Sequence, residues 1–328
     1  MRLESGSSAP RETARGKTVA IVGARGIGRH HAKWWHLEGA QITAFLCRSQ
    51  DTLPLARQGL DDQFHSNARG YTSMKHMLTT ERPDIVDVCS PNAYHYRHVM
   101  TALRFRCEVV CEKPFVYNSF LTPTEMLTET RKAVDFAASI KVNLSLCSQY
   151  AVAARICGSL FTRLRPGQYL ERIETVLASP VKEGQSDPLE LWVDLGPHAL
   201  AVASQLLPGC LPELVVNNRV FDDQKATCGC VVSMPGKAPV ECVFNVSRTV
   251  GNPKNIRQII LNDMVFDIHG DNDSEGVFRA RIITEEGSFL FEDMLQLLIR
   301  ETAAGTPPIS GQAIVENMEA LFRLGGMV

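Results

Sequence analysis

Residues 19–31, VAIVGARGIGRHH, run from an apolar stretch into three glycines and out into a helical pattern. An apolar run this short reads as a strand buried on both faces. Glycines at 23, 26 and 28 then give a tight turn before a helix over Ile27–Leu37. Such a turn aims the free N–H groups of a helix N-terminus at a phosphate. The alternation continues, with apolar runs at 42–46, 85–89, 107–111 and 142–146 separated by helical patterns. Thr122-Pro-Thr-Glu125 supplies an N-cap, a proline in the first turn and a capping-box Glu ahead of a helix over 126–139. Strands joined through helices are parallel, so residues 17–148 are expected to form an α/β dinucleotide-binding domain.

After about Tyr150 the pattern changes. A helical stretch, an alternating run at 170–177 and a helix from about 193 precede strand-like segments at 227–234, 240–247, 256–262, 264–268 and 278–284. Short turns between these segments predict a mostly antiparallel, open sheet in a second, α+β domain over 149–328, closed by two helical segments flanking Thr306-Pro-Pro308. An open sheet face invites assembly into a homodimer or homotetramer. Residues 1–16 are polar, carry Glu4 and Glu12, and lack the apolar core of a signal peptide, so a loose tail is expected there.

Composition narrows the partners. At 328 residues and 45% hydrophobic, the chain can bury a large core. With 34 basic and 36 acidic residues, a formal charge of -2 offers no general field for nucleic acid or an anionic membrane, and no apolar run reaches membrane-spanning length. A small-molecule ligand is the expected partner. Cys47, Cys89, Cys107, Cys111, Cys147 and Cys242, of ten cysteines, lie in or beside apolar runs, as free thiols of a reducing cytoplasm do. Cys228-Gly-Cys230 has no second pair at zinc-ligand spacing, so no metal is expected.

The turn carries an anomaly in Arg25, which stands where a dinucleotide fingerprint read from Gly23 to Gly28 has its middle glycine. The tip of the second strand explains it. An acidic residue there would accept from a ribose 2′-hydroxyl, but Cys47 holds that place, followed by Arg48 and Ser49. Two guanidinium groups and a hydroxyl suit a 2′-phosphate, so NADP(H) is expected in preference to NAD(H). A short-chain dehydrogenase is the rival reading, since Ala24-Arg-Gly-Ile-Gly-Arg29 and Tyr71-Thr-Ser-Met-Lys75 imitate its glycine turn and Tyr-x-x-x-Lys pair. That family places three residues between its first two turn glycines, whereas Gly23 and Gly26 enclose two, and its Tyr-Lys pair comes later. Tyr71 and Lys75 therefore read as residues of a connecting loop and helix.

Two more strands end in chemistry-bearing turns: Ser90-Pro-Asn-Ala-Tyr-His95 follows one, and Val109-Val-Cys-Glu-Lys-Pro-Phe115 contains the next. Glu112-Lys113 sets an ammonium at the carboxyl edge of a parallel sheet, where it can polarise a substrate oxygen or share its proton. Asp194 and His198 are four apart in Asp-Leu-Gly-Pro-His, so on a helix they share a face and the carboxylate can orient or charge the imidazole.

With these motifs in this order, the chain resembles the glucose-fructose oxidoreductase, inositol dehydrogenase and MocA (Gfo/Idh/MocA) family, whose members carry Pro-Asn-x-x-His, then Glu-Lys-Pro, then Asp-x-Gly-x-His. The resemblance spans residues 17–328. It implies a Rossmann domain whose nicotinamide cofactor meets Gly23, Arg25, Gly26, Ile27, Gly28, Cys47, Arg48, Ser49, Ser90, Pro91, Asn92, His95, Glu112 and Lys113. It further implies catalysis by Lys113, Asp194 and His198: His198 as proton donor and acceptor, Lys113 on the reacting oxygen, Asp194 tuning both. The expected activity is hydride transfer between NADP(H) and a secondary alcohol or ketone of a sugar, cyclitol or related polar metabolite. A non-catalytic nucleotide-binding regulator on the same scaffold is the alternative, although a regulator would be free to lose those three residues. There are departures from the family pattern. Ala201 stands where a second Asp is usual, Ser148-Gln-Tyr-Ala151 replaces an Arg-Phe pair, and the segment from Leu177 to Asp194 is short. Gln149, Tyr150, Arg155, Lys182 and Trp192 are the candidate substrate-pocket residues.

Overall fold

The structure, a computed structural model of the chain, describes residues 13–181, 187–250, 252–273 and 277–328. These divide into two compact units, one running to Cys147 with a later return over Leu295–Val315, the other comprising Ser148–Met294 and Glu316–Val328.

In the first unit the chain alternates through β1 (Thr18–Val22), α1 (Ile27–Leu37), β2 (Gln41–Leu46), α2 (Leu53–Asp61), β3 (Arg69–Tyr71), α3 (Met74–Glu81), β4 (Ile85–Val88), α4 (His95–Arg104), β5 (Glu108–Glu112), α5 (Pro123–Ser139) and β6 (Leu144–Cys147). All six strands are parallel, in the order β3-β2-β1-β4-β5-β6. The order reverses between β1 and β4, and at such a switch point the strands' carboxyl ends open a crevice for a nucleotide. Register brings those ends level, with Val22 beside Leu46 and Val88, and Val88 beside Cys111. From Val19 on, the side chains of β1 are buried, as are those of β4, because helices cover the sheet, which is why both strands read as apolar runs, broken in β4 only by Asp87. Thr122 and Glu125 form the expected capping box, and α5 starts at Pro123.

The second unit begins with α6 (Gln149–Leu164), β7 (Arg172–Pro180) and α7 (Pro188–Leu206). It continues with β8 (Leu214–Asp222), β9 (Lys225–Val232), β10 (Val240–Thr249), β11 (Ile256–Leu261), β12 (Met264–Asn272), β13 (Phe278–Thr284) and β14 (Gly287–Glu292). The sheet order is β14-β13-β12-β11-β7-β10-β9-β8, with β7 and β10 parallel and every other pair antiparallel. Helix α7 begins at Pro188 behind an Asp187 cap that accepts from the Leu189 N–H, several residues ahead of the predicted start near 193. α8 (Met294–Ala303) and α9 (Gln312–Leu324) close the chain. Among the described residues no helix is long and apolar enough to cross a membrane.

The sequence places everything after 148 in the second domain, but Leu295–Val315 packs with the first unit. The reason is local. Leu146 donates its backbone N–H to Ile309 at 3.0 Å, and Ser145 bridges Ser310, so this segment extends the sheet beyond β6. On α8, Arg300 grips both carboxylate oxygens of Glu38 at 2.8 and 3.0 Å, and Gln296 adds a third bond at 2.8 Å. Glu38 ends α1 with its side chain 1% exposed, so its charge depends on these partners. Arg300→Ala is expected to destabilise the unit by about 3 to 5 kcal/mol, the usual result of stripping one partner from a buried ion pair. Chemical denaturation checks this, and an unchanged midpoint would contradict the pairing.

Candidate functional site

Backbone crowding shapes the glycine turn. Gly23 has φ +94, and a Cβ built there would stand 2.6 Å from the carbonyl oxygen of Cys89. At Gly28 a Cβ would meet the Gly23 carbonyl at 2.4 Å. Both glycines are fixed by the approach of β1, β4 and α1. Gly26 is different: a Cβ there meets nothing within 4 Å, and it caps α1 with no side-chain hydrogen bond and no acidic residue in the first turn. An open helix N-terminus beside exposed Arg25 and Ile27 is a cradle that fits the phosphates of a dinucleotide.

Beside it, β2 runs into Cys47, which is buried and whose thiol contacts the Thr52 carbonyl at 3.9 Å. Burial pushes this thiol up, opposed by the Thr52 contact and by the charge of Arg25, so Arg25 acts at the β2 edge as well. Arg48 is exposed, and Ser49 engages Thr52, its N–H donating to the hydroxyl at 3.4 Å and its carbonyl accepting from it at 2.8 Å. Tyr71 bonds Glu81, and Lys75 lies exposed on α3, so the short-chain pair forms a structural contact and a surface residue.

At the next strand ends, Pro91 is exposed and Asn92 half-buried. Ser90 shares a 2.9 Å hydrogen bond with His98, whose pKa is pushed down to about 4 by burial and then by His95 and Arg97, so that ring is neutral. His95 is buried, its Nδ1 facing the Pro114 carbonyl at 2.9 Å and its Nε2 the Ser90 carbonyl at 2.6 Å. It therefore ties the turn after β4 to the turn after β5. Burial lowers its pKa, against the opposing pull of those carbonyls and of Glu112. Lys113 is half-buried at the end of β5. The Glu112 carboxylate meets His31 Nε2 at 3.2 Å, and His31 is part of a buried group with Asp87, Trp35, Cys89 and Cys147. Sequence reading passed over that group. Its signal was Asp87, a charge inside the apolar strand Ile85–Val88 that has to find a partner.

In the second unit, His198 lies on α7 with Nδ1 2.9 Å from the Ser148 hydroxyl, and its ring packs against Tyr150 at 4.8 Å between centroids. Tyr150 is buried, and its hydroxyl is pushed up to about 12 by burial, with Arg257 opposing. The carboxylate of Asp194 pairs with the guanidinium of Arg248 at 3.1 Å, and Arg248 also bonds Ser179. Asp194, expected to tune His198, is thus also tied to the sheet through an arginine of β10. Trp192 offers no surface to a substrate: it is 0% exposed, donates its indole N–H to the Leu321 carbonyl at 2.9 Å, and belongs to the core under α9. Gln149 and Tyr150 line a cavity with Arg257, His269 and Asp293, and Arg155 borders a separate open groove between α6 and α7. Lys182 lies outside the described residues. All ten cysteines are free, and Cys228 and Cys230 are buried in β9.

Comparison with known proteins bears on both units. Residues 17–142 match the model of an oxidoreductase family with an NAD-binding Rossmann fold, Gfo/Idh/MocA. D-glucoside 3-dehydrogenase of Escherichia coli (strain K12) is 35% identical over 97 residues, 29% of this chain and 26% of that protein, so the match spans about a quarter of the curated relative. UDP-N-acetylglucosamine 3-dehydrogenase GnnA from Acidithiobacillus ferrooxidans superposes with a TM-score of 0.66 at 17% identity, covering 95% of this chain and 97% of that one. The WlbA (WbpB) dehydrogenase from Thermus thermophilus, solved with NAD and UDP-GlcNAcA, gives a TM-score of 0.64 at 17% identity and 94% coverage of each chain. At these identities the two solved structures establish a common fold across nearly the whole chain. What the comparisons show is thus a match of residues 17–142 to the Gfo/Idh/MocA oxidoreductase family with its NAD-binding Rossmann fold, and a shared fold over nearly the whole chain.

Proposed function

We propose that the chain is an NADP(H)-dependent oxidoreductase that moves a hydride between the nicotinamide and a secondary alcohol, or its ketone, in a sugar-derived or related polar metabolite. The observation that carries this reading is the alignment, at one edge of a parallel sheet, of a phosphate cradle at Gly26, guanidinium groups at Arg25 and Arg48, and the ammonium of Lys113. The family match over residues 17–142 supports the cofactor class. The names of the glucoside and UDP-N-acetylglucosamine 3-dehydrogenases support a sugar-type alcohol as the reacting group.

When bound, the nicotinamide supplies the hydride acceptor or donor. The chain supplies position and proton traffic. Gly23, Gly26 and Gly28 let backbone approach the pyrophosphate, while Arg25 and Arg48 face a 2′-phosphate with no carboxylate at Cys47 to repel it. Ser90, Pro91 and Asn92 border the same crevice, and His95 holds that turn against Pro114. Lys113 hydrogen-bonds the reacting oxygen and offsets its developing charge. His198 takes or gives the proton through Nε2, because Ser148 holds Nδ1 and Tyr150 sets the ring plane. Asp194 acts with Arg248 to fix the face of α7 from which His198 projects. A homodimer or homotetramer built on the second sheet belongs to the same reading, supported by exposed Val215, Val220, Ile283 and Leu290 on its outer strands.

Calorimetric titration is expected to show NADPH binding more tightly than NADH, by about 1 to 3 kcal/mol for a charge-assisted contact. Cys47→Asp with Arg48→Ala should reverse the order, and equal affinities in the unchanged protein would refute the preference. A dehydrogenase screen over sugars, cyclitols, amino sugars and their keto forms, with both cofactors, identifies the substrate. On that substrate, Lys113→Met should keep cofactor binding and lose turnover by roughly 10²- to 10⁴-fold, and His198→Asn should do likewise. The double variant should lose far less than the product of the single effects. Near-full turnover by Lys113→Met would overturn the mechanism and favour a regulator.

A further inference from the structure

His31 sits on α1, one turn after the phosphate cradle, and is fully buried. Its Nδ1 lies 2.9 Å from Asp87 Oδ2, and the Trp35 indole donates to the same oxygen at 2.7 Å. Its Nε2 lies 3.2 Å from Glu112 Oε1 and 3.8 Å from the Cys147 sulfur. Cys89 donates its thiol to Asp87 Oδ1 at 3.3 Å, leaving neither carboxylate oxygen of Asp87 unengaged. One imidazole thus stands between two carboxylates. An imidazolium donates to both, whereas a neutral ring turns one lone pair against a carboxylate, so the geometry fits the charged ring.

The groups facing His31 come from each neighbouring element: Asp87 from β4, Cys89 just after it, Glu112 from β5 and Cys147 from β6, with Cys111 of β5 close enough to feel the two carboxylates. Burial pushes the three thiols up, so they carry no charge. On α1 itself His30 is exposed, and Arg29 and Lys33 are half-buried. Burial is the largest single influence and works against a charge on His31, but Asp87, by charge and hydrogen bond, together with the neighbouring Cys89 and Cys147, outweighs it and holds the pKa well above the ordinary 6.5. A raised pKa means that the clamp is complete below about pH 6.5 and is lost as pH climbs through the folded-state value.

Glu112 directly precedes Lys113, and α1 begins at the phosphate cradle. We propose that His31 is a positioning residue: the buried triad Asp87–His31–Glu112 locks the end of β5 to β4 and α1, and so fixes the backbone from which Lys113 reaches the reacting oxygen. This rests on the role assigned to Lys113 above.

The test uses the full chain, NADPH and the substrate found by screening. His31→Gln keeps one amide donor for Asp87 but cannot answer both carboxylates. Its kcat is expected to fall by about 100-fold, the scale of an ångström-sized misplacement. Affinity for NADPH should hold, because the glycine cradle is untouched. A role confined to general fold stability would weaken NADPH binding and thermal stability together with kcat. Glu112→Gln in the His31→Gln background removes the carboxylate that has lost its imidazolium and should restore part of the lost kcat. If His31→Gln fails to fold, ¹³C NMR of labelled histidine in the unchanged protein still decides: a protonated, doubly hydrogen-bonded His31 ring at pH 7.5 is expected, and a neutral ring overturns the triad. Stoichiometric zinc in the purified protein, released by His31→Gln, would also overturn it, since His31, Glu112 and Cys147 lie close enough to share a metal. Lys113→Met with full turnover sinks the catalytic reading and this inference together. Lys113→Met inactive beside His31→Gln fully active sinks this inference alone.

Discussion

The contact on which the first unit turns is the approach of Gly23 to the carbonyl of Cys89. No side chain fits between them, and the positive φ at Gly23 bends the chain off β1 at the one place where the strand order reverses. Because β1 and β4 are in register there, the turn after each opens on the same edge, and α1 starts with its N–H groups facing outward. Cys47, Ser90 and Lys113 reach that edge only because their strands are in register with this pair. A side chain at position 23 would push the two turns apart before it touched any ligand.

Sheet membership decided how much of the fold could be read in advance. β1, β2, β4, β5 and β6 are covered on both faces and announce themselves as apolar runs. β3 was missed. It is three residues long around Gly70, which is small because an added Cβ would strike Leu53 and Phe45 at 2.8 Å. β8 and β14 were missed for a different reason: they are the two edges of the second sheet, with almost no buried side chain, and Asn217-Asn218-Arg219 in β8 and Gly287-Ser288 in β14 interrupt their apolar pattern. The start of α7 was misplaced because Pro188 and Asp187 mark it more strongly than the apolar pattern that begins later.

Site residues were legible where chemistry is local to a motif, and opaque where it depends on a distant partner. Gly23, Gly26 and Gly28 lie within six residues of one another, so a spacing pattern picks them out, even though what crowds Gly23 is the distant Cys89. His31 and Asp87 are 56 positions apart, Ser148 and His198 are 50 apart, and Arg248 meets Asp194 across 54. No spacing rule joins such pairs before a sheet aligns them. Trp192 shows the opposite error: an aromatic beside a catalytic motif invites a binding role, yet its indole N–H is spent on Leu321 inside the core.

The return of Leu295–Val315 to the first unit has a consequence for how the protein is made. Synthesis runs from the N-terminus, so β1 to β6 emerge well before Arg300 and Ile309 exist. Until then Glu38 is a carboxylate without its guanidinium, and Leu146 lacks the carbonyl that its N–H will meet. The nucleotide unit therefore finishes folding only after the whole of the second sheet has been translated. A ribosome stalled at residue 148 presents an incomplete domain, and no contiguous N-terminal fragment excised at that boundary contains all of its own structure.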